Sequence, residues 1–177
     1  AQGCTHRLRN AYSAAQHAGL GLIYLPMLHR VGRRPRFRGK TMDLKFSDLG
    51  VSPQISHELK RAGFEEPFEV QRDTIPDMLL GRSVCCRAPT GSGKTLAFGI
   101  PMLERVGRGE PSLPKALILT PTRELAEQIY TVLDPIAWGL DLRVMSIYGG
   151  VSYTKQTRRL DKGVDVVVAC PGRLLDL

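Results

Sequence analysis

No aspartate or glutamate occurs before Asp43, although that stretch holds eight of the chain's 25 lysines and arginines. The other 17 basic residues face 17 acidic ones, so residues 42–177 are formally neutral and the net charge of +8 belongs to the leading segment. A neutral body excludes nucleic-acid binding by bulk charge and leaves only local sites for it. Paired cysteines are missing too. Cys4, Cys85, Cys86 and Cys170 form no Cys-x-x-Cys motif, and adjacent Cys85 and Cys86 on a strand would point to opposite faces. His6, His17, His29 and His57 are scattered, so no metal-ligand spacing exists. A reduced, intracellular setting is expected, the cytoplasm. The longest apolar stretch, Ala18 to Leu28, contains Gly19, Gly21 and Pro26 and is too short to cross a membrane.

What is present divides into two parts. Residues 1–41 read as a basic, disordered extension, and residues 42–177 as the organised body. Three readings of the extension stay open. Its acid-free run with Arg7, Arg9, Arg33, Arg34, Arg36 and Arg38 resembles an organellar transit peptide. It also suits a tail that adds nonspecific RNA affinity. Finally, Met42 stands directly before the first organised sequence, as a true start would.

From Asp43 the pattern is regular. Ser52-Pro53 offers an N-cap followed by proline at the first helical position, opening a helix to about Ala62. A second helix is expected over 67–80, with a bend at Pro76 and a stop at Gly81. Apolar runs at 83–87, 115–120, 142–148 and 164–169 read as strands. Between them, 93–106, 122–138 and 152–162 read as helices. In the middle one Leu125, Ile129, Val132, Leu133 and Ile136 form an apolar stripe, and Pro135 is expected to kink or end it. Strands alternating with helices imply an α/β fold with a parallel sheet. In such sheets ligands collect beyond the carboxyl ends of the strands. Polar or glycine-rich clusters follow each expected strand: 88–95, 121–123, 149–150 and 170–173. All four are therefore expected on one edge.

The first cluster, Ala88-Pro-Thr90-Gly91-Ser92-Gly93-Lys94-Thr95, matches the phosphate-loop pattern except that Ala88 replaces the first glycine. Gly91 and Gly93 let successive N–H groups turn toward a phosphate, and the following helix adds the positive end of its dipole. Lys94 is expected to reach the β- and γ-phosphates, and the Thr95 hydroxyl to ligate Mg²⁺.

With these residues in view, the chain resembles the DEAD-box RNA helicases from about Phe46 to Leu177. The loop reads APTGSGKT. Gly63-Phe64-Glu-Glu-Pro67-Phe-Glu-Val-Gln71 is similar to that family's Q motif, with Phe46 as an upstream aromatic. The resemblance implies that Gln71 bonds the adenine edge and Phe46 stacks on the base, with Phe64 and the 88–95 loop completing an ATP and Mg²⁺ site. A carboxamide offers both the donor and the acceptor that adenine needs. Read alone, Gln71 fits a helix surface and Phe46 a core. Pro121-Thr122-Arg123 resembles the family's first RNA-backbone motif, Gly149-Gly150 its glycine doublet, and Cys170-Pro171-Gly172-Arg173 its Thr-Pro-Gly-Arg motif. The resemblance implies that these grip RNA, the expected partner. Singly, Arg123 could pair with Glu127 and Gly149-Gly150 could be a turn.

Two residues depart from the pattern, Phe68 and Cys170, each where threonine is usual. No Asp-Glu-Ala-Asp occurs in the 177 residues. The resemblance therefore implies an incomplete RecA-like domain that binds nucleotide weakly and hydrolyses it negligibly, within an ATP-dependent RNA helicase. Other readings are a different phosphate-loop enzyme, a DNA-directed helicase and a non-catalytic RNA-binding module. No Asn-Lys-x-Asp guanine-reading motif supports a GTPase.

Overall fold

The structure, a computed structural model, describes residues 44–106 and 114–177, so the readings of residues 1–41 fall outside it. The chain divides into two compact units, one up to Arg105 and one from Val106.

The first unit is helical. A 3₁₀ turn, Phe46–Leu49, precedes α1 (Pro53–Arg61), α2 (Glu69–Leu79) and α3 (Lys94–Arg105). α1 begins as expected: Pro53 occupies its first turn and the Ser52 side chain accepts from the Ile55 N–H at 3.3 Å. It stops at Gly63, whose φ of 86° lets Gly63 and Phe64 donate back to Lys60 and Leu59. α2 ends on the same arrangement around Gly81. Leu59, Ile75, Ile100 and Met102 are fully buried and form the heart of this unit. The strand expected over 83–87 does not form. Those residues carry no ladder bonds among the described residues, and Val84, Cys85 and Cys86 are exposed. An extended apolar segment is a strand only where its N–H and C=O groups find a partner.

The second unit is a three-layer α/β arrangement. β1 (Ala116–Leu119), β2 (Val144–Ile147) and β3 (Val166–Ala169) are parallel in the order β1-β3-β2. Central β3 is buried throughout, which explains its unbroken Val-Val-Val-Ala run. α4 (Arg123–Gly139), α5 (Tyr153–Asp161) and α6 (Pro171–Asp176) flank the sheet. Leu117, Met145, Ile147, Val167 and Ala169 share one face with Leu174 of α6, and Leu160 of α5 packs against them. Ser146 points to the other face, where its hydroxyl donates to Glu127 of α4 at 2.6 Å. α4 buries Ala126, Ile129, Leu133, Ile136 and Ala137. Two members of the expected stripe lie off this face: Leu125 is exposed and Val132 half-buried. Pro135 does not end the helix, which continues past it to Gly139. α6 was not read from the sequence, because six residues are too few to show a helical period.

No helix of the described residues is long and apolar enough to cross a membrane, and none of their His, Cys, Asp and Glu side chains gather as a metal cluster.

Candidate nucleotide loop and strand-end face

In the first unit the 88–95 segment curls as its glycines suggest. Gly91 and Gly93 have φ of 79° and 84°, and α3 starts directly at Lys94. The Lys94 ammonium bends back over the loop and donates to the Ala88 carbonyl at 2.7 Å and to that of Pro89. The Ser92 hydroxyl is buried with no hydrogen-bond partner. A buried orphan donor, a lysine folded over the turn and the N–H groups opening a 12-residue helix together fit a polyphosphate. Thr95, half-buried in the first turn of α3, fits Mg²⁺ carried on such phosphates, because that ion takes one or two protein oxygens and keeps its water.

Gln71 is not on a helix surface; it is 1% exposed. Its Oε1 accepts the Phe68 N–H at 2.9 Å and its Nε2 donates to the Gly93 carbonyl at 2.9 Å. The carboxamide therefore caps α2 and ties that helix to the loop, leaving one N–H and one acceptor lone pair for any ligand. Phe46 is 4% exposed and belongs to the core, as its reading in isolation anticipates. Phe64 is half-buried, and Phe68 is the exposed aromatic of this region. Phe68, Val70, Asp73, Cys86, Ala88 and Ser92 line a pocket of about 440 Å³ beside the loop. Phe68 also lies against Gly93, where a Cβ would come within 2.5 Å of its ring and 2.4 Å of Gln71 Nε2. The sequence motif did not reveal this Phe68–Gly93–Gln71 lock, since it depends on contact between α2 and the loop.

In the second unit three of the four clusters do gather on one edge; the 88–95 loop belongs to the other unit. Leu119, Ala169 and Ile147 are aligned in register, so the segments after β1, β3 and β2 emerge side by side. Two further bonds extend the ladder, from Thr120 N to Ala169 O and from Cys170 N to Ile147 O. Pro121, Thr122, Arg123, Gly149, Gly150 and Gly172 are exposed there, while Pro171 and Arg173 are half-buried. Thr122 caps α4 by accepting from the Leu125 N–H at 3.3 Å. Arg123 makes no ion pair with Glu127 among the described residues. Its guanidinium lies 5.0 Å from the Tyr148 ring centre, and a Cβ on Gly150 would stand 3.6 Å from it. Tyr148 has its phenol pKa raised above 10.0, chiefly by its hydrogen bond to Glu127, then by burial and that carboxylate's charge, with Arg123 opposing. Arg173 is turned inward. It donates to Val151 O at 2.9 Å and to Gln156 Oε1 at 3.2 Å, while Gln156 Nε2 holds Tyr148 O. This chain braces the glycine doublet. Sequence reasoning missed Thr120, 2% exposed, whose hydroxyl bonds Thr122 O at 3.2 Å and lies 3.7 Å from Cys170 Sγ. Gln156 was missed too; a polar residue amid basic ones on α5 carries no signal that it is buried.

The family model described as DEAD/DEAH box helicase matches residues 68–177. A pre-mRNA-processing ATP-dependent RNA helicase of Neurospora crassa is 44% identical over 137 residues, covering 75% of this chain and 12% of that protein. The DEAD-box ATP-dependent RNA helicase CshA of Streptococcus pneumoniae is 44% identical over 134 residues, covering 76% of the chain and 25% of its own length. Among solved structures, an RNA helicase from Chaetomium thermophilum bound to ADP superposes with a TM-score of 0.69 at 39% identity, covering 75% of this chain and 33% of that one. The chain thus spans about an eighth to a quarter of these curated relatives.

Proposed function

The chain belongs to the DEAD/DEAH box helicase family, and on that premise we propose that it supplies the ATP-binding loop and an RNA-backbone face of an ATP-dependent RNA helicase. One observation carries the nucleotide half: Lys94 folds over a loop whose buried Ser92 hydroxyl lacks a partner, at the N-terminus of α3. Lys94 holds the terminal phosphates, Ser92 and the N–H groups of 91–95 bind their oxygens, and Thr95 takes Mg²⁺. When bound, Mg²⁺ neutralises charge on the transferred phosphoryl group. Gln71 spends its remaining N–H and lone pair on the adenine edge while holding Gly93. A relative solved with ADP supports this assignment.

The RNA half rests on three in-register segments that expose one guanidinium, that of Arg123, and three glycines between them. Thr122 and Arg123 donate to phosphate, and Gly149, Gly150 and Gly172 permit close approach of a sugar–phosphate strand. Pro171 shapes the start of α6, and Arg173 holds the doublet from behind. Such contacts read backbone rather than sequence, so the substrate is RNA of any sequence. With no Asp-Glu-Ala-Asp among them, these 177 residues bind ATP without brisk turnover. Residues 42–177 thus supply both the nucleotide-binding loop and the RNA-binding face, and work in the cytoplasm.

Titrating the 177-residue chain with ATP and GTP in Mg²⁺, beside Lys94→Ala, tests the nucleotide half. Preference for ATP and about a 10- to 100-fold loss in the variant are expected, from one missing charge-assisted contact. Preference for GTP, or no loss, sinks it.

A further inference from the structure

We propose that α5 carries a second phosphate-binding track, which extends the RNA path beyond the strand-end face. This inference rests on the reading of that face as an RNA site.

Lys155, Arg158, Arg159 and Lys162 recur at i, i+3, i+4 and i+7, so they form one stripe along the helix and its C-cap. All four are exposed; Lys155, Arg158 and Lys162 lie away from buried Gln156 and half-buried Leu160, while Arg159 sits on the flank toward the sheet and also donates to Val144 O at 3.5 Å. Arg159 is partly engaged, lying 5.9 Å from the Tyr130 ring and donating to the Tyr130 hydroxyl at 3.4 Å. Lys155, Arg158 and Lys162 form no ion pair among the described residues. Asp161 is the only acidic residue of α5 and sits off the stripe. Helix-dipole complementarity accounts for Arg158 and Arg159 in the last turn, but not for Lys155 in the first, where positive charge is unfavourable. In a body with 17 basic and 17 acidic residues, four cations on a helix of nine and its cap are a local concentration.

The occupant follows from charge and continuity. The first turn of α5 is fastened to the strand-end face, through Gln156 to Tyr148 O and Arg173, and through the Tyr153 hydroxyl to Asp176 O. A strand lying across Gly149-Gly150 therefore meets Lys155 next, then Arg158 and Lys162 along a helix roughly 13 Å long. Flexible exposed cations suit a phosphate backbone, which offers charge without a fixed base geometry.

The test is binding of two single-stranded RNAs to the intact protein: one of about six nucleotides, filling the strand-end face alone, and one of about twenty. Both are titrated over a range of salt against wild type, Lys155→Gln/Arg158→Gln/Lys162→Gln and Arg123→Ala. Any contribution of residues 1–41 is common to all three proteins and cancels. The triple variant is expected to leave the short RNA unchanged. On the long RNA it should lower affinity about tenfold or more and flatten the salt slope by about 2, since each lost phosphate contact on a single strand removes about 0.7. An unchanged long-RNA slope overturns the track while leaving the strand-end face standing. Equal weakening of both RNAs also overturns it, by making the stripe part of that face. If Arg123→Ala leaves the short RNA unaffected, or wild type binds neither RNA, the reading of the face itself fails. Lys155→Glu alone, a milder surface change, should lower long-RNA affinity in the same direction.

Discussion

Gly93 is the residue on which the nucleotide loop turns. Its φ of 84° disfavours any side chain, and a Cβ would also strike Phe68 and Gln71. Gly93→Ala is expected to destabilise the first unit by about 1–3 kcal/mol and to weaken ATP binding, read by thermal melting with and without nucleotide. The motif already marked Gly93; the sequence could not disclose the side chains that enclose it. Gln71 shows the same limit. Its residue type pointed to paired hydrogen bonds, and it makes them, but to Phe68 N and Gly93 O. Thr120 gave no signal at all, yet it links the segments after β1 and β3. Thr120→Val keeps the shape and removes the hydroxyl, so a loss of about 1–2 kcal/mol is expected in denaturant unfolding. Tyr148 supplies a titration. Its pKa is raised, so the phenol's contribution to stability is full below pH 10 and is lost as pH rises through the folded value. Glu127→Gln should move its phenolate absorbance midpoint down toward 10, and Arg123→Ala should move it further up. No movement in either variant would contradict the cluster.

Elements were legible where local chemistry alone determines them. Ser52-Pro53 starts α1, Gly63 and Gly81 close α1 and α2, and three apolar runs became β1, β2 and β3. At Gly63 nothing lies within 4 Å of an added Cβ, so Gly63→Ala isolates the backbone term. It should cost about 1–2 kcal/mol, the penalty for a left-handed residue bearing a Cβ, measured by chemical denaturation. The segment 83–87 failed as a strand despite its Val-Cys-Cys run, because a strand also needs a partner that its own sequence does not encode. The stripe on α4 was offset for a related reason. Leu125 is apolar but belongs to the exposed first turn, whereas small Ala126 and Ala137 let the helix approach the sheet. Periodicity counts apolar residues, while packing selects a face.

At the scale of the whole molecule, charge proved a poor guide and arrangement a good one. A formally neutral body still presents an Arg123–Tyr148 face and a basic helix, because folding brings together cations that composition averages away. The α/β class followed from alternating elements, and the family from ordered motifs; the division into two units left no trace in the sequence. The central proposal is that the loop and the strand-end face serve one RNA-activated ATPase. It is tested most directly by ATP turnover of the full-length helicase carrying these residues, with RNA, with DNA and with neither, in wild type, Lys94→Ala and Arg123→Ala. The account predicts stimulation by RNA over DNA, turnover abolished by Lys94→Ala, and a higher RNA requirement with basal turnover retained in Arg123→Ala. Turnover indifferent to RNA, or undiminished in Lys94→Ala, would contradict it.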